Sequence, residues 1–170
     1  MDEVGFYYEE GRAAAQMRAE QLNLVIRLGY AILIAALGFV AWAIFPNGLD
    51  YAIWFWIGAG VSVLLYGGMG LIRISNVRKD ISRQTRPLAV GLNRVGLKVG
   101  ELWCDWVDVA RISMRPATAG SALRLELRGQ DGRTCWVPIG YADVTPASLD
   151  QSVKAYSAEL CGVDLSRLDV

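Results

Sequence analysis

The chain has 170 residues, with 17 Lys+Arg against 17 Asp+Glu, three Cys and no His. Zero net charge argues against nucleic acid as the main partner, because phosphate binding shows as a basic excess. The lack of histidine removes imidazole bases and His-ligated metal sites. Hydrophobic residues make up 54%, only 20% are charged, and mean hydropathy is +0.29. That length holds one ordinary domain, or a small domain plus membrane spans.

Residues 1–21 are acidic first (Asp2, Glu3, Glu9, Glu10) and then Ala-rich with Arg12, Arg18 and Glu20. Phe6, Ala13, Met17 and Leu24 fall at helical spacing, which predicts an amphipathic cytoplasmic lead-in.

Residues 22–73 hold the apolar excess. From Leu28 to Phe45 run 18 residues without a charge, and from Tyr51 to Ile72 another 22. At 1.5 Å per residue these reach about 27 and 33 Å, close to the ~30 Å hydrocarbon thickness. A domain of this size could not enclose two helices apolar on every face, so the reading is two membrane spans. The first run starts late, follows an acidic segment, and ends in Phe45-Pro46-Asn47, which is no signal-peptide cleavage site. Pro46-Asn47-Gly48-Leu49-Asp50 is dense in turn formers and predicts a tight antiparallel hairpin.

Basic residues set the orientation. The link has none, whereas Arg12, Arg18 and Arg27 precede the first span and Arg73, Arg78, Lys79, Arg83 and Arg86 follow the second. The positive-inside rule then places both termini in the cytoplasm. Trp42, Tyr51, Trp54 and Trp56 cluster around the link as an aromatic belt at the membrane interface. Small residues (Ala31, Gly38 and Ala41 in the first span; Gly58, Gly60, Gly67, Gly68 and Gly70 in the second) serve either the packing of the hairpin on itself or a face for a partner helix.

Residues 74–86 continue the second helix. Ile74, Val77 and Ile81 recur on one side, Lys79, Arg83 and Arg86 line another, and Pro87 stops the helix. From Arg73 to Lys98 there are seven basic residues and one acidic, Asp80. Arg73, Arg78, Lys79, Arg83 and Arg86 are candidates for anionic lipid headgroups, or serve as the topology signal alone.

Residues 87–162 change to short β runs. Leu88, Val90 and Leu92 alternate, as do Leu97 and Val99, and Leu102–Met114 reads as one or two strands. Leu123–Ile139 is a hairpin whose register can be argued. A three-residue loop closed by Gly132 in the left-handed conformation puts Gly129 opposite Arg133. The pairs Leu127–Cys135, Leu125–Val137 and Leu123–Ile139 then share one apolar face, whereas a two-residue turn splits that set. Thr145-Pro146 caps a helix with an apolar stripe at Leu149, Val153, Tyr156 and Leu160, ended by Gly162. Residues 163–170 are a tail.

A run of short strands closed by one C-terminal helix, after a two-span hairpin, resembles the bacterial PH-like (bPH) membrane proteins of the YcxB-like type. The resemblance is carried by Gly96-Leu97-Lys98-Val99, by Trp103-Cys104-Asp105-Trp106-x-Asp108-Val109, and by the Leu123–Ile139 hairpin before the last helix. Asp108-Val109 stands where that family has Asp-Ile. The resemblance implies an α-helical membrane hairpin plus an α+β cytoplasmic domain, with a PH-like antiparallel β-sandwich or barrel closed by the helix. It also implies a multi-pass protein of the bacterial inner membrane, and brings no shared catalytic residues.

The three cysteines form no C-x-x-C and have no His to complete a zinc site. Asp105 and Asp108 lack a third ligand. No metal, cofactor or enzymatic activity is therefore expected. The exposed candidates are Trp136 with Arg124 and Arg128, extended by Arg111 and Arg115, because Trp and Arg anchor interfaces. Trp136 is alternatively covered by the N-terminal segment or by a second copy of the chain. The expected function is that of an accessory or assembly subunit of a membrane complex, its domain binding a membrane-protein partner or a second copy. The alternative is a sensor of anionic lipid.

Overall fold

The computed structural model describes residues 3–45, 47–84 and 86–168, so that Asp2 and Pro46 lie outside the described residues. The chain forms two compact units, Ala14–Ser75 and a second made of Met1–Ala13 with Asn76–Val170.

The first unit is helical. Helix α1 spans Arg12–Ile44, and a second rod runs from α2 (Gly48–Ser62) through a π-helical turn at Val63–Gly67 into α3 (Gly68–Ser82). Both rods are long and apolar enough to cross a membrane, with mean hydropathies of 2.2 and 1.7 over their most apolar windows. Of those windows only 17% and 6% are buried, so their apolar side chains face outward rather than into a protein core. The residues that do bury are small: Ala31, Ala41, Ala52 and Ala59. A Cβ on Gly70 would sit 2.6 Å from Leu24, and one on Gly38 would sit 2.7 Å from the Trp56 indole. Close approach of the rods thus depends on these positions. Gly58, Gly60 and Gly68 face open space.

The second unit is built from two sheets. Strand β1 (Val4–Tyr7) precedes the helices, yet pairs antiparallel with β2 (Leu88–Leu92), which lies beyond them. With β3 (Gly96–Val99) and β4 (Leu102–Asp105) these form a meander in the order β1-β2-β3-β4. The other sheet is β7-β6-β5-β8, from β5 (Val109–Arg115), β6 (Arg124–Gly129), β7 (Thr134–Val137) and the short parallel β8 (Val163–Asp164). The inner faces carry Val90, Leu92, Leu97 and Val99 from one sheet and Ile112, Met114, Leu125, Leu127 and Val137 from the other, and all join one core. Helix α4 (Pro146–Tyr156) adds Leu149 and Val153 to it.

The β6–β7 register is the one that collects the apolar side chains on one face. Leu125 lies opposite Val137 and Leu127 opposite Cys135. The Gly129 amide donates to the Arg133 carbonyl at 2.9 Å, and Gly132 takes φ +82°. Leu102–Met114 divides into β4 and β5 around the buried Trp106, whose indole donates to the Asn93 carbonyl at 2.9 Å. Helix α4 is capped by Thr145 and Ser148, which exchange side-chain-to-backbone hydrogen bonds.

Two sequence expectations are corrected. Phe6 lies on a strand, because β2 needs an edge partner and Val4–Tyr7 supplies it; the N-terminal helix begins only at Arg12. Helix α4 ends at Tyr156 instead of running on to Gly162. Ala158 and Glu159 take left-handed φ of 51° and 65°, and the Ser157 hydroxyl accepts from the Cys161 amide at 3.1 Å. Leu160, expected on the apolar stripe, is consequently 71% exposed. The tail also contributes a strand, β8, held where the Asp150 carboxylate accepts from the Val163 amide at 2.8 Å.

Candidate functional site

The outer face of the β5–β7 sheet gathers the predicted cations. Register sets Arg115 opposite Arg124 and Arg111 opposite Arg128 across β5 and β6, where like charges repel. Carboxylates relieve three of the four. Arg115 pairs with Glu126 at 2.7 Å, Arg111 pairs with Asp164 on β8, and Arg124 pairs with Asp80 at 2.9 Å. Arg128 is exposed and has no carboxylate partner among the described residues.

Asp80 is the residue that sequence reasoning missed. It lies on α3, in the stretch Asn76–Ser82 that belongs to the β unit, and is fully buried. Its carboxylate accepts from the Ala122 amide at 2.7 Å and from the Arg124 guanidinium. The guanidinium in turn stacks on Trp136 with its carbon 4.3 Å from the ring centroid, and Arg83 approaches the same ring at 5.1 Å. Asn76 adds a hydrogen bond to the Ala119 carbonyl at 3.0 Å. The end of α3 and the turn after it are thereby latched to β6 and β7 by an ion pair and by two arginines against the Trp136 ring. A signal for this was present: Asp80 is the lone acid in a basic run, beside the apolar positions Val77 and Ile81. A charge at such a place is buried only with a partner.

Trp136 is half-buried. It stands between two shallow clefts, one of about 140 Å³ lined by Arg115, Arg124 and Glu126, and one of about 270 Å³ lined by Arg83, Glu101 and Cys135 among others. The structure brings Trp136 and Arg124 together as expected. The second cation on the ring is Arg83, one residue past the end of α3 and one of the residues read as a lipid contact. Around the latch, Tyr8 Oη and Arg124 Nε are buried without a hydrogen-bond partner among the described residues. Burial first, then the nearby Cys135 and Asp80, hold the Tyr8 hydroxyl above the ordinary phenol range.

Of the other basic candidates, Arg73 lies 3.9 Å from Glu20, while Arg78, Lys79 and Arg86 are exposed. Trp42, Tyr51 and Trp54 are more than half exposed. Trp56 differs: it packs on Phe39 at 5.2 Å between centroids and donates to the Ala35 carbonyl at 3.3 Å, inside the helical pair. The gap that Gly38 leaves in α1 admits it.

No group of three or more metal-capable side chains converges among the described residues. The cysteines are unpaired. Burial, followed by Asp108, Asp131 and Asp105, keeps the Cys104 thiol above its usual range, and burial does the same for Cys161. Neither is poised as a thiolate nucleophile.

No protein-family model, curated protein or solved structure matches this chain.

Proposed function

We propose that this chain is a non-enzymatic protein of the bacterial inner membrane whose PH-like cytoplasmic domain binds a protein partner, as an accessory or assembly subunit of a membrane complex. Two apolar rods with outward-facing side chains support the membrane location. Strands β1 and β2 flank the rods in sequence and neighbour each other in one sheet. A pair of crossings between them returns the chain to the side it left, and the basic flanks make that side cytoplasmic. A four-stranded meander, a second meander and a closing helix support the PH-like reading.

The observation that carries partner binding is Trp136, with Arg83 and Arg124 against its ring and a cleft on either side. Preorganised Trp and Arg side chains lose little entropy on binding and are the usual anchors of interfaces. The test is purification of the full-length protein in mild detergent, with mass spectrometry of what stays bound. It is run beside Trp136→Ala and beside Arg128→Glu, which changes the same face outside the latch. A stoichiometric complex released by both substitutions supports the reading. A complex indifferent to both overturns it.

The exposed Arg78, Lys79 and Arg86 favour a second reading, direct attraction to anionic headgroups. Binding of that kind weakens with salt and persists in protein-free liposomes.

A further inference from the structure

A different part of the β unit offers a site of opposite charge. Strand β4 ends its sheet: it pairs with β3 and has no strand on its other side among the described residues. An edge of this kind leaves backbone N–H and C=O groups unpaired, ready for another chain. A cleft of about 340 Å³ lies along it. Its lining is Trp103, Cys104 and Asp105, which are consecutive on β4, with Asp108, Asp131 and Arg133 opposite.

The charge of this lining is unbalanced. Arg133 is committed to Asp131, at 3.1 Å. Asp105 accepts from the Trp103 indole at 2.8 Å, and the Asp108 carboxylate has no hydrogen-bond partner among the described residues. Three carboxylates against one guanidinium leave two negative charges on the groove. All three carboxylates act on the buried Cys104 thiol, so their fields converge there. Lys98, cross-strand from Trp103, is not among the lining residues.

Apolar surface accompanies the charge. Trp103 is 42% exposed and Val107, just past β4, 72%. The indole is held in place, since it donates to Asp105 and lies against Gly96, where a Cβ would come within 3.0 Å of the ring. An open strand edge, a fixed aromatic face and unneutralised carboxylates match an extended chain bearing cations. Its backbone pairs with the edge, its Lys or Arg side chains meet Asp105 and Asp108, and one stacks on Trp103. Anionic headgroups are repelled by the same charges.

We propose that the open edge of β4 is a docking groove for an extended, Lys/Arg-bearing segment of a protein partner, which joins the sheet as a further strand. This rests on the partner-binding reading and names the chemistry of the partner.

The test uses the full-length protein in nanodiscs of neutral phosphatidylcholine. The probe is a fluorescent ten-residue peptide of alternating Arg and Val, followed by anisotropy. The Arg–Val peptide binds, and its Glu–Val counterpart binds at least about tenfold more weakly. Asp105→Asn/Asp108→Asn weakens the Arg–Val peptide about tenfold, the sum of two exposed charge pairs. Asparagine at 105 still accepts the Trp103 N–H, so the groove keeps its shape. Methylating alternate backbone amides of the peptide weakens binding by a similar factor if it adds as a strand. Absent binding, binding unchanged in the Asp variant, or equal binding of the methylated peptide each overturns the proposal. Self-association of the protein that the Asp variant abolishes, without peptide binding, overturns it in favour of a second copy. If the groove fails while Trp136→Ala and Arg128→Glu still release a complex, the partner-binding reading stands without it.

Discussion

Replacing Asp80 by Ala tests whether the latch stabilises the β unit. The carboxylate is fully buried and accepts two hydrogen bonds, from the Ala122 amide and from Arg124. Removing it orphans a buried amide, at about 1–3 kcal/mol, and leaves a guanidinium without its counter-charge. Breaking a buried pair costs about 3–5 kcal/mol in full. Arg124 keeps 29% side-chain exposure and its stacking on Trp136, which soften its share. The expected loss is therefore about 3 kcal/mol, near the lower end of that range. For a unit of about 100 residues this lowers the melting temperature by roughly 12 °C or more. The readout is thermal unfolding of the full-length protein in detergent, followed by tryptophan fluorescence. Arg124→Met costs at least as much, because it strands the buried carboxylate. The double change Asp80→Leu/Arg124→Met recovers about half of the summed loss, because no buried charge remains. A melting point for Asp80→Ala within about 3 °C of the parent, or coupling below about 0.5 kcal/mol in the cycle, refutes the reasoning.

Three further outcomes follow from the geometry. Gly96→Ala places a Cβ 2.4 Å from the Cys104 carbonyl and 3.0 Å from Asp105 Cα, both backbone. Unlike a clash with a side chain this cannot be relieved by a rotamer, so a loss of about 2–3 kcal/mol in the same melting assay is expected. At Asp150, burial raises the carboxyl pKa, but hydrogen bonds from Lys154 and Val163 outweigh it and leave it below the usual range; Ser166 and Arg111 hold Asp164 well below it. Groups depressed in the folded state stabilise it above about pH 4 and lose that contribution as the pH falls through their folded values. The protection of the Val163 amide, measured against its intrinsic exchange rate at each pH, should therefore fall below pH 4 and stay constant between pH 5 and 7. Cys104 and Cys161 should alkylate slowly with iodoacetamide at pH 7 and faster as the pH rises, as read by peptide mass spectrometry; rapid labelling at pH 7 would contradict their raised thiols.

The readable parts of this sequence were those in which a single arrangement satisfied burial. The β6–β7 register is one: only one loop length puts Leu125, Leu127, Cys135 and Val137 on a common face. The apolar rods are another, since 18 and 22 uncharged residues admit few alternatives. Strand β1 was hidden because four residues carry almost no period, and Phe6 also fits a helical spacing with Ala13 and Met17. Its identity comes from a partner far along the chain. The latch was half legible. Trp136 and Arg124 share a face by alternation, but Asp80 and Arg83 reach them through tertiary packing that local pattern does not encode. The early end of α4 lay in Ala158 and Glu159, neither of which favours the left-handed conformation they adopt.

Strand β1 has a consequence for how the protein is made. It is made before its partner, because β2 begins only at Leu88, 81 residues after Tyr7. At about 5–20 residues per second, that is roughly 4–16 s during which the strand has no sheet to join. In the membrane reading, both crossings are threaded within that interval. On that reading, completion of the β unit waits on delivery of the hairpin to the bilayer, and β1 stays unpaired until β2 arrives. An N-terminal fusion or deletion reaching Tyr7 would disturb the β unit more than the helical rods next to it in sequence.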